Sequence, residues 1–137
     1  MIVKVRTQDE FDAALKAGHV ADLISGIFSL VTSGSDAPEI IVRAGVELSV
    51  EARGSSRPRV EAWGSSQPRV EAWESSHPRV EAREGSQPRV EARESSQPRV
   101  EARESSQPRV VARDSSQPLV VARGLREVDA DGERIGP

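Results

Sequence analysis

The sequence predicts a mainly β protein: a flattened parallel β-solenoid with a small α/β segment at its N-terminal end. Three observations predict it. From Val50 to Gly124 the chain runs through seven consecutive decapeptides close to V-E-A-R-E-S-S-Q-P-R, then a broken eighth from Val120. Within each unit the five residues Arg-Val-Glu-Ala-Arg, such as Arg99 to Arg103, alternate with period two, as a strand does when it sends alternate side chains to opposite faces. The period also holds without a single insertion. That is the mark of a stacked solenoid, in which one unit cannot bury its apolar face alone but neighbouring units can.

In each unit Val and Ala point inward, and the stretch Glu104-Ser-Ser-Gln-Pro108 forms the turn. Its hydroxyls bond nearby backbone, and proline fixes φ while removing a donor. A coil of ten residues leaves little room for an interior, and the chain has no cysteine to staple one. Two decapeptides per coil are therefore expected, giving two similar sheets. At about 4.8 Å per layer the repeat by itself is roughly 15–20 Å long. The predicted divisions are residues 1–49 as an N-terminal capping segment, 50–124 as the solenoid and 125–137 as a C-terminal tail or cap.

Taken in order, Ile2 to Val5 reads as a short strand. Thr7-Gln-Asp-Glu10 is a capping-box pattern, and Phe11, Ala14 and Leu15 follow at helical spacing, so a helix is predicted over about residues 8–17, stopped by Gly18. Ile27 to Val31 and Glu39 to Val42 read as strands separated by the turn Gly34-Ser-Asp-Ala-Pro38. Val46, Leu48, Val50 and Ala52 then alternate directly into the first decapeptide, so the N-terminal segment feeds its last strand into the solenoid.

Composition narrows the function classes. A formal charge of −3 over 137 residues, with Glu101, Arg103, Glu104 and Arg109 cancelling inside one unit, selects for neither nucleic acid nor an acidic membrane surface. Without cysteine there is no thiol chemistry, and no leader-like or membrane-length apolar run is present, so a cytoplasmic or virion location is expected. His19 and His77 lack a second ligand nearby, and Asp129-Ala-Asp131-Gly132 lacks the later acids of a calcium loop. No metal, cofactor or small-molecule ligand is expected.

The column from Glu51 to Glu101 stacks on the outer faces between arginine columns. Catalytic carboxylate pairs need distinct environments, and a periodic ladder makes them alike, so no enzyme activity is expected. The variable positions are the candidate interaction surface. The outward position after alanine carries Trp63 and Trp73, which fall on opposite faces if two units make a coil. They serve either to anchor a partner or to pack on the N-terminal segment. In the last units Glu gives way to Val111 and Val121, and Arg to Leu119, so the outer face turns apolar, which marks a covered surface.

The V-E-A-R/W strands and S-S-Q-P turns between Val50 and Gly124 resemble the short-repeat β-solenoids of bacterial and bacteriophage proteins. A more distant architectural likeness is to ice-nucleation repeats, which use two strand-turn halves per coil, although rows of outward threonine are missing here. The resemblance implies architecture and no catalytic residues. The expected function is a non-enzymatic structural or interaction module that forms homo-oligomers or docks into a larger protein assembly, in a phage or at a cell surface. The alternative is a module binding a lattice of ice or glycan through a flat face.

Overall fold

A computed structural model describes residues 2–103, 106–113, 116–122, 127–128 and 134–135. Strand β1 (Ile2–Val5) leads into helix α1 (Gln8–Lys16), followed by β2 (Val20–Leu23), β3 (Ile27–Thr32), β4 (Glu39–Val42) and β5 (Glu47–Ala52). Seven four-residue strands then recur every ten residues: β6 (Arg59–Ala62), β7 (Arg69–Ala72), β8 (Arg79–Ala82), β9 (Arg89–Ala92), β10 (Arg99–Ala102), β11 (Arg109–Ala112) and β12 (Leu119–Ala122). A short antiparallel pair, β13 (Glu127–Val128) and β14 (Arg134–Ile135), follows, with β13 against β12.

The solenoid is as predicted. One sheet has the order β1-β2-β4-β6-β8-β10-β12 and the other β11-β9-β7-β5-β3. Every pairing within these two sheets is parallel, and in the repeat the partners lie twenty residues apart, Val60 with Val80 and Val70 with Val90. Each coil therefore holds two decapeptides. The coils also begin before the repeat does, because β2 pairs with β4 and β3 with β5 in the same sheets. The six spacings of the seven-stranded sheet make a stack roughly 30 Å long, longer than the repeat alone implies. The strand Val20–Leu23 was not legible beforehand.

Thr7 caps α1 by accepting the Glu10 N–H on its hydroxyl at 3.2 Å, while the Glu10 carboxylate accepts the Arg6 N–H at 2.7 Å, one residue beyond the usual capping-box partner. The helix ends in a Schellman motif. Gly18 takes φ +79, its N–H reaches the Leu15 carbonyl, and the His19 N–H reaches that of Ala14. Phe11 then meets Phe28 edge-on at 5.5 Å, so the helix covers the first coil of the five-stranded sheet.

Inside the coils, Val50 to Val110 and Ala52 to Ala102 form unbroken buried columns. The interior is wider than the strand pattern implies, for Ser56 to Ser106 and Pro58 to Pro108 turn inward as well. The cause is the turn. In the first unit Ser56 N–H bonds the Arg53 carbonyl across Gly54 at φ +64, which swings the chain round so that its next side chains face the axis. Glu74, Glu84 and Glu94 hold the same left-handed conformation at φ 56, 53 and 56, where an L side chain is crowded.

Candidate functional site

The outer faces are built by register. In the seven-stranded sheet one outward column reads Lys4, Asp22, Ile41, Glu61, Glu81, Glu101, Val121; in the five-stranded sheet the equivalent column reads Val31, Glu51, Glu71, Glu91, Val111. Each sheet thus carries a run of three carboxylates with an aliphatic side chain at both ends. Only the C-terminal ends of these runs were foreseen. Aligning the sequence at an offset of twenty residues is the signal that reveals the others.

Arginines flank the carboxylates on both sides and across coils. Glu81 is bonded by Arg59 of the preceding coil at 3.1 Å and by Arg83 at 3.2 Å, with Arg79 at 3.4 Å. Glu91 meets Arg89 at 3.3 Å and Arg93 at 3.2 Å, and Glu101 meets Arg99 at 3.2 Å and Arg79 at 3.3 Å. These guanidiniums lie over the acids, so Glu81, Glu91 and Glu101 are buried on the solvent side of the sheet, where the sequence suggests an open ladder. For Glu81, burial pushes the carboxyl pKa up. The Arg83 hydrogen bond and the charges of Arg59 and Arg79 outweigh it, holding the group below its ordinary value.

Trp63 and Trp73 lie on opposite faces, as their spacing predicts, and each is sandwiched. Arg43 and Arg83 stand 6.0 and 5.1 Å from the Trp63 ring, and Arg53 and Arg93 stand 5.1 and 4.9 Å from that of Trp73. Both faces of each indole are thus occupied by guanidiniums, which makes the tryptophans part of the charged ladder. Arg43 also grips buried Asp22 through two hydrogen bonds of 2.9 and 3.1 Å. The bond to Asp22 raises the Arg43 pKa, with burial opposing it.

The apolar candidates divide. Leu119 and Val121 share the outer face of β12, above Arg99 and Glu101, while Val111 lies in the other sheet above Glu91. Leu119 is 54% exposed, and Val111 and Val121 are half-buried. At the opposite end Ile2, Ile27 and Val31 are exposed at 61, 75 and 62%, a second apolar rim that the sequence reading missed.

Polar ladders run along the corners: Gln67 donates to Gln87, Gln97 to Gln117, and the His77 ring lies 3.1 Å from the Gln97 amide oxygen. His19 instead borders a hollow of about 500 Å³ beside α1, with Leu15, Leu30, Asp36, Pro38 and Glu39. Among the described residues no group of three metal-binding side chains occurs. Asp129 and Asp131, and Leu125 of the predicted tail cap, lie outside the described residues. No helix among them is long and apolar enough to cross a membrane. Comparison with protein-family models, curated proteins and solved structures finds no match.

Proposed function

We propose that this chain is a non-enzymatic structural module, a capped β-solenoid that self-associates, or docks into a larger protein assembly, through its last coil. One observation carries the reading: the Arg–Glu ladders run without interruption until β11 and β12, where Val111, Leu119 and Val121 replace the charges in register. Desolvating a paired charge on assembly costs free energy that an aliphatic side chain avoids, so an interface core is depleted in charge. Nucleic acid and membrane have no part in this reading. The resemblance to bacterial and bacteriophage short-repeat solenoids extends it to a phage particle or cell-surface structure, in the virion or the cytoplasm.

Because the chain has no cysteine, single cysteines report contact cleanly. Leu119→Cys is expected to form disulfide-linked pairs under mild oxidation, while Arg59→Cys, in mid-face, stays monomeric. Equal linkage at both positions, or none at Leu119→Cys, would count against the proposal.

The alternative reading is a lattice-binding module. It draws on the in-register Arg and Glu columns, which form a flat repeating face. Silence in thermal-hysteresis and glycan-array measurements would remove it.

A further inference from the structure

We infer that Arg109 and Arg113 form an open carboxylate clamp, filled on assembly by an acidic segment of another protein that places a glutamate between them, over Val111. The inference rests on the reading above that the last coil is a docking surface, and it names the chemistry of what docks on one side of that coil.

The clamp is recognised from its closed counterpart one layer below. In β9 the guanidiniums of Arg89 and Arg93 converge on Glu91 from either side at 3.3 and 3.2 Å, and Arg69 of the preceding coil reaches the same carboxylate at 3.7 Å. Strand β11 repeats this arrangement in register. Arg109 stands on Arg89 and Val111 on Glu91, and the Arg113 N–H bonds the Ala92 carbonyl as the Arg93 N–H bonds that of Ala72. The two arginines are kept and the acid between them is replaced. Among the described residues Arg109 and Arg113 have no ion-pair partner, and both are exposed.

The other aliphatic breaks in the charged columns are built differently. On β12 Leu119 takes the arginine's place beside Val121, and at the N-terminal end Val31 follows Ser29 and Ile41 follows Glu39. Among these positions Val111 alone keeps an arginine on each side.

Charge and shape choose the occupant. A carboxylate over Val111 engages both guanidiniums, with Arg89 placed to reach it as Arg69 reaches Glu91, and such charge-assisted bonds are stronger than neutral ones. The stack accepts carboxylates in successive layers, since Glu71 and Glu91 are neighbours in register. Val111 is half-buried and gives the methylenes of a glutamate an apolar seat. A second copy presenting the same face would bring two more unpaired arginines, and like charges oppose that pairing. Leu119 and Val121 lie in the other sheet, so self-association through them leaves the clamp open.

The probe is the peptide acetyl-Thr-Val-Glu-Val-Thr-amide, with a control peptide carrying glutamine at its centre. Both are titrated into wild type, Arg109→Gln/Arg113→Gln and Val111→Glu, following the arginine Nε–H and Val111 methyl signals by NMR, with folding checked by circular dichroism. In wild type the glutamate peptide is expected to shift the Arg109, Arg113 and Val111 signals and to bind about fivefold or more tightly than its control. Binding is lost in the double variant and in Val111→Glu, which fills the clamp from within. Equal binding of the two peptides, no shift with either, or undiminished binding to Val111→Glu would overturn the inference. So would a thymidine oligonucleotide that shifts the same signals at lower concentration than the peptide, or a fall in the protein's own mass in Arg109→Gln/Arg113→Gln, which would make the occupant a nucleic acid or a second copy. Failure of the underlying reading shows separately: Leu119→Cys then forms no pairs while the glutamate peptide still binds, which upholds the clamp.

Discussion

Arg59 reaches across to the next coil and bonds Glu81 at 3.1 Å, twenty-two residues on in the sequence. Every such diagonal ties one layer to the next, so the charged faces reinforce the stack that the backbone ladders build. Among the described residues these diagonals recur at Arg69–Glu91 and Arg79–Glu101.

Acid should loosen this arrangement. The Glu81 carboxyl is held below its ordinary value in the folded protein, so it contributes stability above its unfolded pKa, near about 4.3, and that contribution is lost as pH falls through the lowered folded value. The urea midpoint is expected to be flat from neutrality to about pH 5 and to drop below about pH 4. Glu81→Gln should cost about 1–2 kcal/mol at neutral pH and flatten the acid limb. An unchanged acid limb in the variant would count against the pairing.

Interior columns should respond oppositely according to chemistry. Val90→Ala removes two methyl groups from a closed site and is expected to cost about 2–3 kcal/mol. The Ser86 hydroxyl is buried without a hydrogen-bond partner among the described residues, so Ser86→Ala should stabilise by about 1 kcal/mol. Denaturant titration of both variants reads the two signs directly.

Turn strain gives a third outcome. Glu84 sits at φ 53 in the position that Gly54 and Gly64 occupy earlier. Glu84→Gly is expected to raise stability by about 1 kcal/mol. Glu74→Gly should gain less, because the Glu74 carboxylate accepts the Gly54 N–H at 3.2 Å.

Trp63 and Trp73 are committed to their arginines. Trp63→Ala should lower stability by about 1–2 kcal/mol without altering the mass of the assembled protein. A change in mass with unchanged stability would restore the tryptophans as contacts with a partner.

Much of this fold is legible in the sequence because the determinants are local and repeated. The R-V-E-A-R alternation gives the strands, the absence of room in a ten-residue coil gives two units per turn, and Thr7 with Gly18 bounds the helix. Val20–Leu23 was hidden because its outward Asp22 is satisfied by Arg43, twenty-one residues later. Inward Ser and Pro escaped notice because their direction follows from the turn backbone and not from their polarity. The candidate surface was half legible: Val111, Leu119 and Val121 break a pattern already established, whereas Val31 and Ile41 precede it. The pairing of the Gln8 side-chain amide with the Ser29 backbone depends on one side chain finding one distant edge, which no periodicity announces.

The most direct test is the mass of the folded protein by light scattering behind a sizing column, with Leu119→Asp/Val121→Asp beside it. A concentration-dependent, discrete oligomer for the wild type and a monomer for the variant are expected. A wild type that stays strictly monomeric at high concentration and engages no partner protein, or an oligomer that both substitutions leave intact, would contradict the account.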